Sequence, residues 1–200
     1  MIVEGKQKIW ADYQKDIPDD HYFYVRSCIR QSFFPASEVT FLDITRNKLG
    51  KDFYESAYHT TCGGIAYHSD SIPQETAMTI IARQFALMHE CGYENYVCSC
   101  ITSFGCYTET LETWHEFPEL EAKIRQYLWD SCKKEFAKPK YLAHASDIIY
   151  KFRHEIAKQA KYKLVNAKTG KPLKVVEHIG CHYSKMFPSK GFGGAEYPHV

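Results

Sequence analysis

Short runs of β-branched and aromatic residues alternate along this chain with longer stretches whose apolar positions recur at helical spacing. The first run, residues 21–27, is rich in tyrosine, phenylalanine and valine and reads as a strand. Residues 35–49 open on Pro-Ala-Ser-Glu, carry Val39, Leu42, Ile44 and Leu49, and stop at Gly50, which predicts a helix. A short second strand follows over 52–58. The clearest helix spans 73–90, where Pro73 suits a first helical position and Glu75 sets an acid near the positive end. Ala77, Ile80, Ile81, Gln84, Leu87, Met88 and Cys91 share its face, and Gly92 ends it. Residues 96–97 give a third strand. Helical spacing returns over 108–114, over 119–136 and over 147–160, with a brief strand at 141–143. A basic connector, 161–172, leads to a strongly β-branched strand over 173–179. Strands that alternate with helices in this way predict an α/β protein, a mainly parallel sheet with crossover helices.

That alternation places the cysteines. Cys28, Cys62, Cys98 and Cys181 each come at the end of a predicted strand. In an open α/β sheet such ends lie on one edge, where sites gather. Cys62 stands in the run His59-Thr60-Thr61-Cys62-Gly63-Gly64, whose glycines allow a positive φ or a close approach of backbone to ligand. There are 33 residues between Cys28 and Cys62 and 35 between Cys62 and Cys98, with Cys100 and Cys106 close behind. Thiolates brought together from separate loops suit soft metals and iron–sulfur clusters. Zinc is the alternative, with His59, His68 or His182 supplying a nitrogen, but two short Cys-x-x-Cys knuckles are absent. Cys91 and Cys132 sit in helical stretches and read as buried packing residues.

Composition narrows the setting. Eight cysteines without a signal-peptide pattern at the N-terminus point to free thiols in a reducing compartment, so a cytoplasmic location is expected. A formal net charge of +1 gives no electrostatic case for nucleic acid or an anionic membrane. No apolar run approaches the roughly 20 residues of a spanning helix. Residues 191–194, Gly-Phe-Gly-Gly, lack the strand, helix and Lys-Ser/Thr of a phosphate loop. The acidic residues between Glu109 and Glu121 read as a solvated helix surface.

At Cys28, Thr61-Cys62-Gly63, Cys98 and Ser103-Phe104-Gly105-Cys106-Tyr107 the chain resembles the cysteine-rich CCG domain of the heterodisulfide reductase B subunit, from about Tyr22 to its end. That family's pattern is a lone cysteine, a distant Cys-Cys pair followed by glycine or proline, and a Cys-x-x-Cys after a similar interval. Here Thr61 takes the place of one cysteine of the pair. The final motif has two correspondences: by distance through Cys98, and by wording through Cys106, with Ser103 in place of its first cysteine. Residues 147–150 and 175–182 resemble the approach to a second copy of the motif, with Cys181 its first ligand and the remainder expected beyond Val200. The domains expected are an extension over 1–20, a first cysteine-rich domain over 21–165, and the start of a second repeat over 171–200.

The resemblance implies an iron–sulfur redox subunit of a heterodisulfide reductase-like complex, an oxidoreductase that passes electrons to a disulfide or related sulfur substrate and reduces it. The candidate ligands it implies are Cys28, Cys62, Cys98, Cys100, Cys106 and Cys181. The family holds a non-cubane [4Fe–4S] cluster with five cysteines; with threonine a poor iron ligand, a conventional [4Fe–4S] or [2Fe–2S] centre is the expectation here. The implied partners are a flavin-containing protein like the family's A subunit and a ferredoxin-like protein like its C subunit. The alternative, from another class, is a non-catalytic zinc-binding or metal-free interaction subunit that bridges partners in a redox complex.

Overall fold

A computed structural model of the chain describes residues 17–161 and 165–174. Four strands, β1 (Tyr22–Val25), β2 (Phe53–Tyr54), β3 (Asn95–Cys98) and β4 (Tyr141–His144), form one sheet in the order β2-β1-β3-β4. Every pairing is parallel: Tyr22 faces Phe53 on one side and Asn95 on the other, and Cys98 faces His144. The α/β architecture expected from the alternation is therefore present, with helices joining each strand to the next.

The sheet is buried on both sides because its strands are apolar on both faces. Phe23, Val25, Tyr96 and Cys98 point into one core, with Met78, Phe85, Tyr107, Trp114, Ile124 and Leu128 from the helices. Tyr22, Tyr24, Phe53, Val97 and Ala143 point into the other, with Phe41, Ile148 and Phe152. The high tyrosine content is spent here: Tyr22, Tyr24, Tyr96 and Tyr107 are fully buried. Tyr22 stacks on Phe53 with ring centroids 5.0 Å apart, and Tyr96 meets Tyr107 edge-on at 5.1 Å.

The helices are α1 (Cys28–Phe33), α2 (Pro35–Leu42), α3 (Gly64–His68), α4 (Gln74–Glu90), α5 (Ile101–Glu116), α6 (Pro118–Cys132), α7 (Ala145–Lys151) and α8 (Arg153–Gln159). The helix expected over 35–49 is α2 continued by a wider π-type turn, Asp43–Lys48. The strand expected over 52–58 is confined to Phe53–Tyr54, since Glu55 leaves the ladder to pair with Arg26. The helix expected from residue 108 starts at Ile101, so Ser103 and Cys106 are helical. The helix expected over 147–160 breaks at Phe152. Cys132, expected to be buried, is exposed at the end of α6. Residues 1–16 and 175–200, which hold most of the expected extension and second repeat, lie outside the described residues, as do Cys181, His182 and the Gly191-to-Gly194 segment. Among the described residues, no helix is long and apolar enough to cross a membrane.

Candidate functional site

All four strands end on the same edge, and the described cysteines expected as ligands lie there. Ser27, just past β1, caps α1 by accepting a hydrogen bond from the Arg30 amide at 3.1 Å. Cys28 is thereby the first residue of α1 and is exposed. The loop after β2 is held against α4 by Gln84, whose Nε2 donates to the Thr60 carbonyl and, at 3.0 Å, to the Thr60 hydroxyl. That anchoring brings Thr61 beside Cys28, with the Thr61 hydroxyl 3.8 Å from the Cys28 sulfur. Gly63 then takes a left-handed φ of +72°, which turns the chain from Cys62 into α3.

Cys62 is buried, and its sulfur is the acceptor of a small network. The Gly64 amide donates to it at 3.3 Å and the Ser103 hydroxyl at 3.2 Å. Cys106, one turn along α5 from Ser103, points at the same sulfur and is 3.4 Å from His68 Nε2. The donated thiol of Cys106, the Ser103 hydroxyl and the Gly64 amide together hold the Cys62 thiol down at about 6, against the opposing effect of burial. Cys106 is pushed up by the negative Cys62 it serves and by burial, so of this pair Cys62 carries the charge and Cys106 the proton. Gly64 is packed between the two: a Cβ there would lie 2.7 Å from the Cys106 sulfur and 3.2 Å from that of Cys62.

Cys98 ends β3 with its thiol 3.8 Å from both the Ala143 and Cys100 carbonyls, and burial pushes it well above the ordinary thiol range. Cys100 is half-buried at the N-cap of α5. The sequence motifs therefore come together in two contacts, Cys28 with Thr61 and Cys62 with Ser103 and Cys106, while Cys98 turns towards β4. Two positioning residues escape sequence reasoning. Gln84 is visible there only as a polar residue on an otherwise apolar helix face. Glu38, buried, accepts from the Ser27 amide at 2.7 Å and the Ser99 hydroxyl at 2.5 Å, and no local pattern marks it.

No protein-family model matches the chain. It is 24% identical over 193 residues to the B subunit of the ferredoxin:CoB-CoM heterodisulfide reductase of Methanosarcina acetivorans. The chain is similar to the heterodisulfide reductase B subunit. The match takes in 93% of this chain and 59% of that protein, so this chain, like a B subunit in sequence, spans less than two thirds of its relative's length. The cluster implied by the resemblance meets a changed donor set here. A hydroxyl at Thr61 stands where that pattern has a cysteine, as does that of Ser103 in the correspondence through Cys106, and each is directed at a remaining sulfur, so the five-thiolate arrangement does not fit. Among the described residues, no group of three or more His, Cys, Asp or Glu side chains is close enough to hold a single metal ion. The described thiols on this edge are Cys28, Cys62 and Cys106, with Cys98 and Cys100 at the end of β3.

Proposed function

We propose that the chain is a redox subunit of a heterodisulfide reductase-like complex, passing electrons towards a disulfide or related sulfur substrate through an iron–sulfur centre at the carboxyl edge of its sheet. The observation that carries this reading is the contact of Cys62 with Cys106, from two separate segments that follow strand ends, with Cys28 just past β1 on the same edge, beside the likeness to a reductase subunit over 93% of the chain. Cys28, Cys62 and Cys106 would be the ligands, completed by Cys100 or Cys98, and Cys181 would belong to a second site.

An iron–sulfur centre bound there supplies one-electron steps. The chain's own residues set the conditions. The donors at Cys62 favour its thiolate, the form a metal needs, and a centre that also took Cys106 would release the proton that Cys106 donates to it. The Gly64 amide and Ser103 hydroxyl donate to its sulfur, and such hydrogen bonds raise a centre's reduction potential. Cys28, being exposed, lies on the side from which an electron-supplying partner would approach. The partners in this reading are a flavoprotein and a ferredoxin-like protein.

The test is anaerobic purification followed by iron and sulfide analysis and visible absorption. Cys62→Ser should lose iron, and Cys132→Ser, exposed on α6, should keep it. A colourless, iron-free wild-type protein would overturn the reading and leave a non-catalytic bridging role as the alternative.

A further inference from the structure

Across the same carboxyl edge from the Cys62–Cys106 contact, a groove of about 410 Å³ opens between α2 and the β4–α7 connection. Its floor is apolar, formed by Phe41, Ile44 and Ile149, and its cationic residues are Arg30 from α1 and Arg153 from the start of α8. Among the described residues, no carboxylate lines it. Of the other described arginines, Arg26 and Arg125 pair with Glu55 and Glu121, and Arg46 and Arg83 donate to backbone carbonyls; among the described residues no ion pair engages Arg30 or Arg153. Arg153 is fixed in place: Nη1 donates to the Tyr150 carbonyl at 2.7 Å, and its guanidinium lies 4.1 Å from the Tyr150 ring centroid. Arg30 directs its charge into the groove wall, where it adds to burial in keeping His144 neutral.

We propose that this groove binds a small anionic amphiphile, its carboxylate or phosphate head between Arg30 and Arg153 and its apolar body along Phe41, Ile44 and Ile149. Two guanidinium groups with no counter-charge among the described residues supply the recognition, since planar forks match such heads with paired hydrogen bonds. The volume suits a ligand with a short chain. The place is the expected one for an open parallel sheet, outside the carboxyl ends of the strands. The site makes no use of the thiols, so it stands whether or not they hold iron.

Calorimetric titration of the full chain with hexyl phosphate and with hexanoate tests it, with hexylammonium as the opposite-charge control. At least one anion should bind, and the stronger of the two identifies the head. Its affinity should fall as salt rises, and hexylammonium should give no heat. Arg30→Gln and Arg153→Gln should each weaken binding about tenfold. Binding of neither anion up to about 10 mM, beyond the weak end of specific affinity, would overturn the proposal. So would equal binding of hexylammonium, or unchanged affinity in both variants with their circular dichroism intact. Should a variant fail to fold, the salt series on the wild type decides alone, and salt-independent affinity rules the site out.

Discussion

Cys62 holds a negative charge in a buried place because three donors meet at its sulfur, and Ser103 is the donor that a single substitution removes most cleanly. In iron-free protein, Ser103→Ala should raise the midpoint of the Cys62 titration, followed by thiolate ultraviolet absorption, by about one pH unit. An unchanged midpoint would mean that Cys106 and the Gly64 amide set the charge without Ser103. His144 makes the opposite kind of statement. Burial, with the charge of Arg30, holds its imidazole down at about 4, while the unfolded chain protonates near 6.5. Below that value the unfolded state binds a proton that the folded state refuses, so stability is complete above about pH 6.5 and falls as pH drops towards 4. The loss is about 3 kcal/mol. Melting curves across that range should show it for the wild type and a flatter profile for His144→Gln; parallel profiles would assign the acid sensitivity to other groups.

Element by element, what the sequence made legible was whatever repeats over enough residues. The parallel sheet is visible because its strands alternate with helices along the chain, and α4 because its apolar stripe runs for 17 residues. The two elements that build the thiol site are too short for that. Helices α1 and α3 have 6 and 5 residues, and their positions depend on the Ser27 cap and the left-handed Gly63. The start of α5 was hidden by Gly105, whose poor helix propensity is overridden by the burial of Phe104, Cys106 and Tyr107 around it. The motif cysteines were legible as residues, but which of them meet was not, because that depends on the pitch of a helix the sequence does not announce. Helix α3 also makes a test. Gly64→Ala would put a methyl group 2.7 Å from the Cys106 sulfur, forcing that thiol aside. A stability cost of about 1–3 kcal/mol is expected, together with iron content well below that of Cys132→Ser. Full iron retention in Gly64→Ala would show that the pairing of Cys62 with Cys106 is not needed for the centre.

At the scale of the whole molecule, the strand order β2-β1-β3-β4 reverses direction between β1 and β3, the point at which open α/β sheets part their loops and form a crevice. Glu38 bridges that point. From α2 it reaches the Ser27 amide after β1 and the Ser99 hydroxyl after β3, so one buried carboxylate ties the segment bearing Cys28 to the segment bearing Cys98 and Cys100. Nothing in the sequence near Glu38 joins these two loops, and they are 72 positions apart from Ser27 to Ser99. Glu38→Ala should strip two buried donors of their acceptor and cost about 2–3 kcal/mol in urea unfolding. Glu38→Gln keeps an oxygen for both donors and should recover most of that stability. If the clamp also sets the spacing of the thiol loops, Glu38→Ala should lower iron content even at temperatures where it remains folded, with Glu38→Gln close to wild type. Equal stability of the two variants would remove the clamp from the argument, and normal iron in a folded Glu38→Ala protein would confine its role to holding the sheet together.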